Sequence, residues 1–348
     1  MGRSDGAVGD VAVGDDSRGH WSGRTVLITG AAGLLGGWVA RELLESGASV
    51  LGLDVAWDSP RATTPPAGVE RIDGDVRDTP LLRDLLRRRA IDTVIHLAAQ
   101  TLVGPAIEDP VDTFSNNIEG SWSVLEACRN AGNAGSVDGK GGVRRIVVAS
   151  SDKAYGDASG RPYREEMALR PHHPYDTSKA VTDLLAQTYG YTYGLPVAIT
   201  RCGNLYGGGD LNWSRIIPGT IRSVVEREAP VIRSDGSFVR DYLYVRDAAA
   251  GVVALADAVG EQPEIAGTAF NFAAGVRLPV IEVVRRILTL MGSELEPVVL
   301  GLPLKEIPEQ RVSAARARRV LGWRPRSTVE SGLLETIEWY RSYLTKAA

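Results

Sequence analysis

The chain has 348 residues, 44% of them hydrophobic, with 43 acidic and 39 basic side chains and a formal net charge of -4. This length holds one large or two coupled domains with a substantial core, and the charge supplies no basic field for nucleic acid. Two distant cysteines, Cys128 and Cys202, and four histidines without ligand spacing argue against a disulfide framework and a metal site; no apolar run is long enough to span a membrane, and a cytoplasmic protein is expected.

Residues 1–22 are rich in Gly, Asp and Ser and are expected to form a disordered leader. Thr25-Val26-Leu27-Ile28-Thr29 is β-branched and apolar, which suits a buried parallel strand. Gly30, Gly33 and Gly36 follow with the spacing G-x-x-G-x-x-G, and residues 38–44 then read as an amphipathic helix. Strand, glycine turn and helix in this order describe a dinucleotide site. The glycines let the backbone turn sharply and approach a pyrophosphate, whose charge faces the helix N-terminus. Gly30, Gly33, Leu34, Leu35 and Gly36 are therefore expected cofactor contacts. The next strand, 49–53, ends in Asp54, where an acid binds ribose hydroxyls and repels a 2′-phosphate. NAD is favoured over NADP, with Arg61 nearby moderating that preference.

Residues 69–78 are another strand and turn, and 81–90 a helix with Leu81, Leu82, Leu85 and Leu86 on one face. Residues 93–99 are a fourth strand, whose small end at Ala98-Ala99 lets a flat cofactor pass close to the backbone. His96, inside an apolar strand, reads as a core histidine rather than a base. Residues 111–130 are helical and contain Asn117 and Gly120; 132–142 read as an exposed loop or insertion.

A fifth strand, 145–149, delivers Ser150-Ser151-Asp152-Lys153 at its carboxyl end, where chemistry gathers in an open parallel sheet. Tyr175 and Lys179 lie four residues apart on the next helix and share one face. A free Tyr has a pKa of roughly 10, and a fixed cation lowers it toward the phenolate needed to take a proton from an alcohol. A sixth strand, 195–200, precedes Asn204 and a glycine-rich turn. Beyond it lie short strands near 230–232, 240–245 and 269–272, a helix over 248–259 returning to the sheet, and helices at 278–291 and 329–343. The pattern predicts an α/β fold: a doubly wound parallel Rossmann sheet with a smaller mixed α/β C-terminal substrate-binding part. Residues 23–204, with 241–262 returning, form the first; 205–240 and 263–348 form the second.

Several ordered motifs carry a resemblance: Gly30-x-x-Gly33-x-x-Gly36, Asp75-Val76, His96-Leu97-Ala98-Ala99, Asn117-x-x-Gly120, Tyr175-x-x-x-Lys179, Arg201-x-x-Asn204-x-Tyr206-Gly207, Arg240-Asp241-Tyr242 and Leu321-Gly322-Trp323-x-Pro325. On these the chain resembles the extended short-chain dehydrogenase/reductases that remodel nucleotide sugars. The resemblance implies a bound NAD and adds Asp75, Val76, Leu97, Ala98 and Ala99 to its contacts, along with Tyr175 and Lys179. Ser151 matches the family's third catalytic group, and Asp152-Lys153 resembles the CDP-glucose 4,6-dehydratases. The glycine loop and Arg240-Asp241-Tyr242 depart from that group toward the wider family.

The implied reaction starts with oxidation at the sugar C4, with Tyr175 as base, Ser151 assisting and Lys179 lowering the Tyr175 pKa. Asp152 as acid and Lys153 as base then remove water across C5 and C6. A 4-epimerase using Ser151, Tyr175 and Lys179 alone, on a hexose or a larger sugar, is the second reading. A catalytically silent nucleotide-binding protein is the third, disfavoured by the intact Ser-Tyr-Lys set. Gln100, Asn204, Arg215, Arg240 and Arg311 are the implied substrate contacts, Arg240 as the diphosphate arginine. The helices around Asn117 and Tyr175 resemble those that pair in family homodimers.

Overall fold

The computed structural model describes residues 20–133, 142–158, 160–303 and 307–347. The expected leader up to residue 19 and most of the expected loop at 132–142 lie outside the described residues. Seven parallel strands form the central sheet: β1 (Thr25–Thr29), β2 (Ser49–Asp54), β3 (Val69–Asp73), β4 (Thr93–His96), β5 (Arg145–Ala149), β6 (Val197–Cys202) and β7 (Ala269–Phe272). Their spatial order is β3-β2-β1-β4-β5-β6-β7, so the winding reverses between β1 and β4. A ligand crevice opens at such a reversal, outside the carboxyl ends of the strands.

Period two explains why these apolar runs are strands with two buried faces. Val26 and Ile28 enter one core layer, and Leu27 enters the other. The first layer lies under α1 (Leu34–Glu45) and a later helix, Val245–Glu261, which pack against each other. The second lies under α2 (Thr79–Arg88), α3 (Gly120–Asn133) and α4 (Pro174–Tyr193). Asp78 caps α2 by accepting from the Leu81 N–H, with Pro80 inside the first turn.

The C-terminal part packs α5 (Ile216–Val225), α7 (Val280–Met291) and α9 (Val329–Ala347) around Tyr206, Ile217, Ile287 and Tyr340. The returning helix Val245–Glu261 is α6, and Ala315–Leu321 is α8. No helix among the described residues is long and apolar enough to cross a membrane.

Two elements differ from expectation. Ala269–Phe272, placed by sequence in the substrate-binding part, pairs in parallel with β6 and is the edge of the main sheet. Four residues carry no topology of their own, and the strand reaches β6 only because α6 crosses back first. Order also starts before residue 23. Trp21 is buried, its N–H donates to the Ser46 carbonyl, and Arg24 lies over its ring. A single aromatic anchor of this kind has no periodicity by which to be recognised.

A buried ion pair joins the layers. Arg201 on β6 donates from Nε and Nη2 to the two carboxylate oxygens of Asp183 on α4, both at 2.8 Å. Its Nη1 donates to the Tyr155 hydroxyl at 2.8 Å, and that hydroxyl donates to Asn271 Oδ1 on β7 at 2.7 Å. Arg201 and Asp183 have 2% and 0% of their side-chain surface exposed, so neither charge is satisfied by water. Replacing Asp183 by Ala strands the guanidinium and is expected to cost about 3–5 kcal/mol in urea unfolding, whereas the double variant Asp183→Leu/Arg201→Met recovers most of that loss.

Candidate active site

The glycine turn sits at the winding reversal. Gly30 has φ +73°, and a Cβ there would lie 2.7 Å from the Ala98 nitrogen just beyond β4. A Cβ on Gly36 would lie 2.2 Å from the Gly30 carbonyl oxygen. Side chains are thus excluded where two strand ends and a helix start converge. Gly33 is the N-cap of α1 and supplies no side chain to its first N–H groups, and the first turn carries no acid. That leaves a cradle of backbone donors suited to an anionic group.

Asp54 ends β2 beside this turn. Its carboxylate accepts from the Ala32 N–H at 3.0 Å and the Ala56 N–H at 2.9 Å, so it ties the turn to the following segment. Each oxygen still has lone-pair capacity for a ribose hydroxyl. The Thr63 hydroxyl donates to the Ala32 carbonyl, strapping the same turn from outside. Asp75 is engaged by Arg77, with Nη2 to Oδ2 at 2.6 Å and Nε to Oδ1 at 3.0 Å. Those hydrogen bonds hold its carboxyl below the usual range. Val76 is buried against Gly120. Leu97, Ala98 and Ala99 leave β4 at the crevice, with the Ala98 N–H donating to the Thr29 hydroxyl.

His96 is buried between the hydroxyls of Thr29, 2.7 Å from Nδ1, and Ser121, 3.1 Å from Nε2. Burial, helped by the Lys179 charge, pulls its pKa down to about 3, so it is a neutral structural histidine. Asn117 lies in a π-helical turn, Ser115–Glu119, leading into α3. Its amide donates to the Gln100 carbonyl at 2.9 Å and the Ser178 hydroxyl at 2.8 Å, binding the end of β4 to α4.

The carboxyl end of β5 brings the catalytic candidates together. Ser151 caps a short 3-10 turn, Asp152–Tyr155, by accepting from the Lys153 N–H at 3.2 Å. Its hydroxyl donates to Asp152 Oδ1 at 3.2 Å, and it acts to lower the pKa of Tyr175 in the first turn of α4. Asp152 is 3% exposed, and burial raises its pKa against the opposing pull of Lys153, the Ser151 bond and Arg240. Lys153 is half-buried.

Tyr175 and Lys179 differ from the expected pair. The Lys179 Nζ donates to the Ala149 carbonyl at 2.9 Å, and burial pulls its pKa down to about 8. Burial pushes Tyr175 up to about 12, and Arg215 is the cation acting to lower it. The helix brings the two side chains to one face, but the ammonium takes the nearer backbone acceptor at the end of β5.

The substrate candidates fall into two sets. Asn204 follows β6, and its Nδ2 is buried without a partner among the described residues. Arg215 precedes α5, with Nη1 donating to Asp210 at 2.9 Å. Gln100 is saturated locally: its amide donates to the Leu102 carbonyl and the Thr113 hydroxyl, and its carbonyl accepts from the Leu102 N–H. The Arg240 Nη1 donates to the carbonyls of Val239, Ile307 and Pro308. Arg311 reaches the Gly160 carbonyl at 3.2 Å. Sequence reasoning passed over Gln310, which is fully buried with its Nε2 3.4 Å from Asp152 Oδ2. Only its place next to Arg311 pointed to it.

Two cavities of about 320 Å³ and 330 Å³ lie away from this cluster. One is lined by Cys128, Val143 and Pro196 near the amino ends of β5 and β6; the other lies under Trp38 and Trp339.

Residues 26–271 match the model of the NAD dependent epimerase/dehydratase family. A trifunctional UDP-glucose 4,6-dehydratase/UDP-4-keto-6-deoxy-D-glucose 3,5-epimerase/UDP-4-keto-L-rhamnose-reductase of Arabidopsis thaliana is 31% identical over 335 residues, covering 91% of this chain and 47% of the relative. The chain thus spans about half the length of that relative. A CDP-glucose 4,6-dehydratase of Salmonella typhimurium is 28% identical, covering 93% of this chain and 92% of the relative. The crystal structure of DesIV, a dTDP-glucose 4,6-dehydratase from Streptomyces venezuelae with NAD and TYD bound, superposes with a TM-score of 0.80 at 27% identity, covering 92% of this chain and 98% of that one. Glycine cradle, Asp54, Ser151, Tyr175 and Lys179 all lie within the matched residues, and the chain belongs to the NAD dependent epimerase/dehydratase family.

Proposed function

We propose that this chain is an NAD-dependent nucleotide-sugar 4,6-dehydratase. The observation that carries the reading is Asp152: a buried carboxyl whose pKa is raised by that burial, held next to the Ser151–Tyr175 pair. An enzyme that only oxidises C4 and returns the hydride has no use for an acid at that point. A dehydratase needs a carboxyl that is still protonated when the 6-hydroxyl leaves. The relatives act on sugars carried by different nucleotides, so the shared chemistry lies in the sugar and not in the base.

The site fits NAD on its own features, since the cradle at Gly30, Gly33 and Gly36 is one that Cβ atoms would fill. Those glycines, with the N–H groups of Leu34 and Leu35, would hold the pyrophosphate, and Asp54 the adenine ribose. When bound, NAD+ supplies the acceptor for the C4 hydride and the donor that returns it to C6. Tyr175 takes the proton of the C4 hydroxyl, and the Ser151 hydroxyl, which acts to lower the Tyr175 pKa, helps to share it. Arg215 favours the phenolate by its charge, and Lys179 stands one turn along the same helix face. Lys153, as the neutral amine, takes the C5 proton and gives it back to C5 when hydride adds at C6, and Asp152 gives its own to the departing 6-oxygen.

Asn204 offers the substrate a buried amide donor with no partner among the described residues, and Arg215, Arg240 and Arg311 supply positive charge for a diphosphate. Exposed Trp122 on α3 and Leu184 on α4 support a homodimer paired through these helices. Two buried, unbridged cysteines support a cytoplasmic location. Residues 23–204 with 241–262 form the cofactor domain, extended by β7; the remainder of the C-terminal part forms the substrate domain.

Incubation with UDP-, dTDP- and CDP-linked glucose, followed by product mass, is expected to give loss of one water from at least one of them. Unchanged mass with inverted C4 stereochemistry would establish an epimerase instead. The two halves of the reaction should also separate by mutation. Tyr175→Phe is expected to lower C4 oxidation about 100-fold or more, while Asp152→Asn preserves transient reduction of the cofactor, read at 340 nm, and lowers water loss by a similar factor. Arg215→Gln removes a cation that lowers the Tyr175 pKa. The ionisation that promotes oxidation then needs a higher pH, so the rising limb of the kcat profile moves to higher pH and turnover at neutral pH falls about two- to tenfold.

A further inference from the structure

We propose that Gln310 is a positioning residue for Asp152: its amide holds one edge of the carboxyl plane while the Ser151 hydroxyl holds the other, leaving the acid's proton directed at the leaving oxygen of the substrate. This rests on the dehydratase reading above. Gln310 has no exposed surface, and burying an amide is costly unless it is hydrogen-bonded. The Nε2 donates to Asp152 Oδ2 at 3.4 Å, while Ser151 donates to Oδ1 at 3.2 Å. The Oε1 is buried with no partner among the described residues.

The backbone leaves Gln310 little choice of place. Glu309 bridges to Val239, Val312 bridges to Tyr163, and the Gln310 N–H donates to the Val239 carbonyl at 3.1 Å. The residue is clamped between two β-bridges, and its side chain is fixed over the end of β5.

A long N–H···O contact of this kind is weak toward a neutral carboxyl and tightens once the oxygen is charged. The elimination step supplies that charge. The Asp152 proton passes to the 6-oxygen as the C6–O bond breaks, and its electron pair leaves with the oxygen as water. The C5–H pair closes the C5=C6 double bond, and the C5 proton goes to the lone pair of Lys153, present as the neutral amine. Asp152 becomes a carboxylate, so the Gln310 bond is stronger in the transition state than in the ground state, which is the condition for accelerating a step.

Asp152 also feels Arg240, Lys153 when it is protonated, and the carboxylates Asp176 and Asp241, and it faces Tyr163, Tyr175 and Cys202. Gln310 is uncharged at every pH. Replacing it changes a hydrogen bond without changing that set of charges.

The test compares native protein with Gln310→Met and Gln310→Glu on the nucleotide sugar that the native protein dehydrates. Cofactor reduction is followed at 340 nm, water loss by mass, and folding by thermal melt. Gln310→Met keeps the volume and removes the donor. It is expected to leave C4 oxidation within about twofold, to slow water loss about 10- to 100-fold, and to move the alkaline limb of water loss to higher pH, because a carboxylate without its donor is harder to form. Gln310→Glu is expected to recover water loss at low pH, where its neutral carboxyl donates, and to lose it as pH rises. If both steps fall together in both variants with the limb unmoved, Gln310 is merely structural and the proposal is overturned. If native protein releases water from no nucleotide sugar, the dehydratase reading itself falls and takes the proposal with it.

Discussion

The catalytic candidates come from two places, the end of β5 and the start of α4, and one buried ion pair keeps them in register. Asp183 lies two turns along α4 from Tyr175, and Arg201 is on β6, beside β5. The guanidinium also reaches Tyr155, the last residue of the turn that begins with Asp152. A bidentate contact fixes orientation as well as distance, and burial raises the cost of any loosening. Helix, strand and turn therefore move together or not at all. The carboxyl and the phenol meet at Ser151 because their supports are bolted to one arginine.

Burial then decides how the groups titrate. Tyr175 and Asp152 are pushed toward their neutral forms, and Lys179 is pulled the same way. The same term makes His96 a neutral spacer. In a site this dry, each charge that develops during reaction is felt strongly by the few dipoles and cations nearby. Single neighbours such as Arg215 and Gln310 accordingly matter more than their modest contacts suggest.

Much of this was legible in the sequence, and the exceptions share a cause. The glycine turn, the alternation of strands and helices, His96 as a core residue and the delivery of Ser151 by β5 follow from local rules of backbone space and periodicity. Lys179 was readable as a neighbour of Tyr175 on a helix face, but not the Ala149 carbonyl that claims its ammonium, because that acceptor comes from another element. Gln310 is separated from Asp152 by 158 residues and reaches it through two isolated bridges that no propensity encodes. The strand at 269–272 was legible but its place beside β6 was not, and Trp21 is too short a signal for any pattern. Gln100 and Arg240, expected as substrate contacts, donate to the backbone carbonyls of Leu102, Val239 and Ile307. Residue type reports what a side chain is able to bind and not which acceptor stands closest.

The Ser151 hydroxyl has one hydrogen and two lone pairs. The hydrogen goes to Asp152 and one lone pair takes the Lys153 N–H, so one lone pair is left. Such a hydroxyl can turn its single hydrogen toward only one acceptor at a time. Under the dehydratase reading proposed above, a Tyr175 phenolate competes with Asp152 for that hydrogen, and the two acid–base candidates share one rotor.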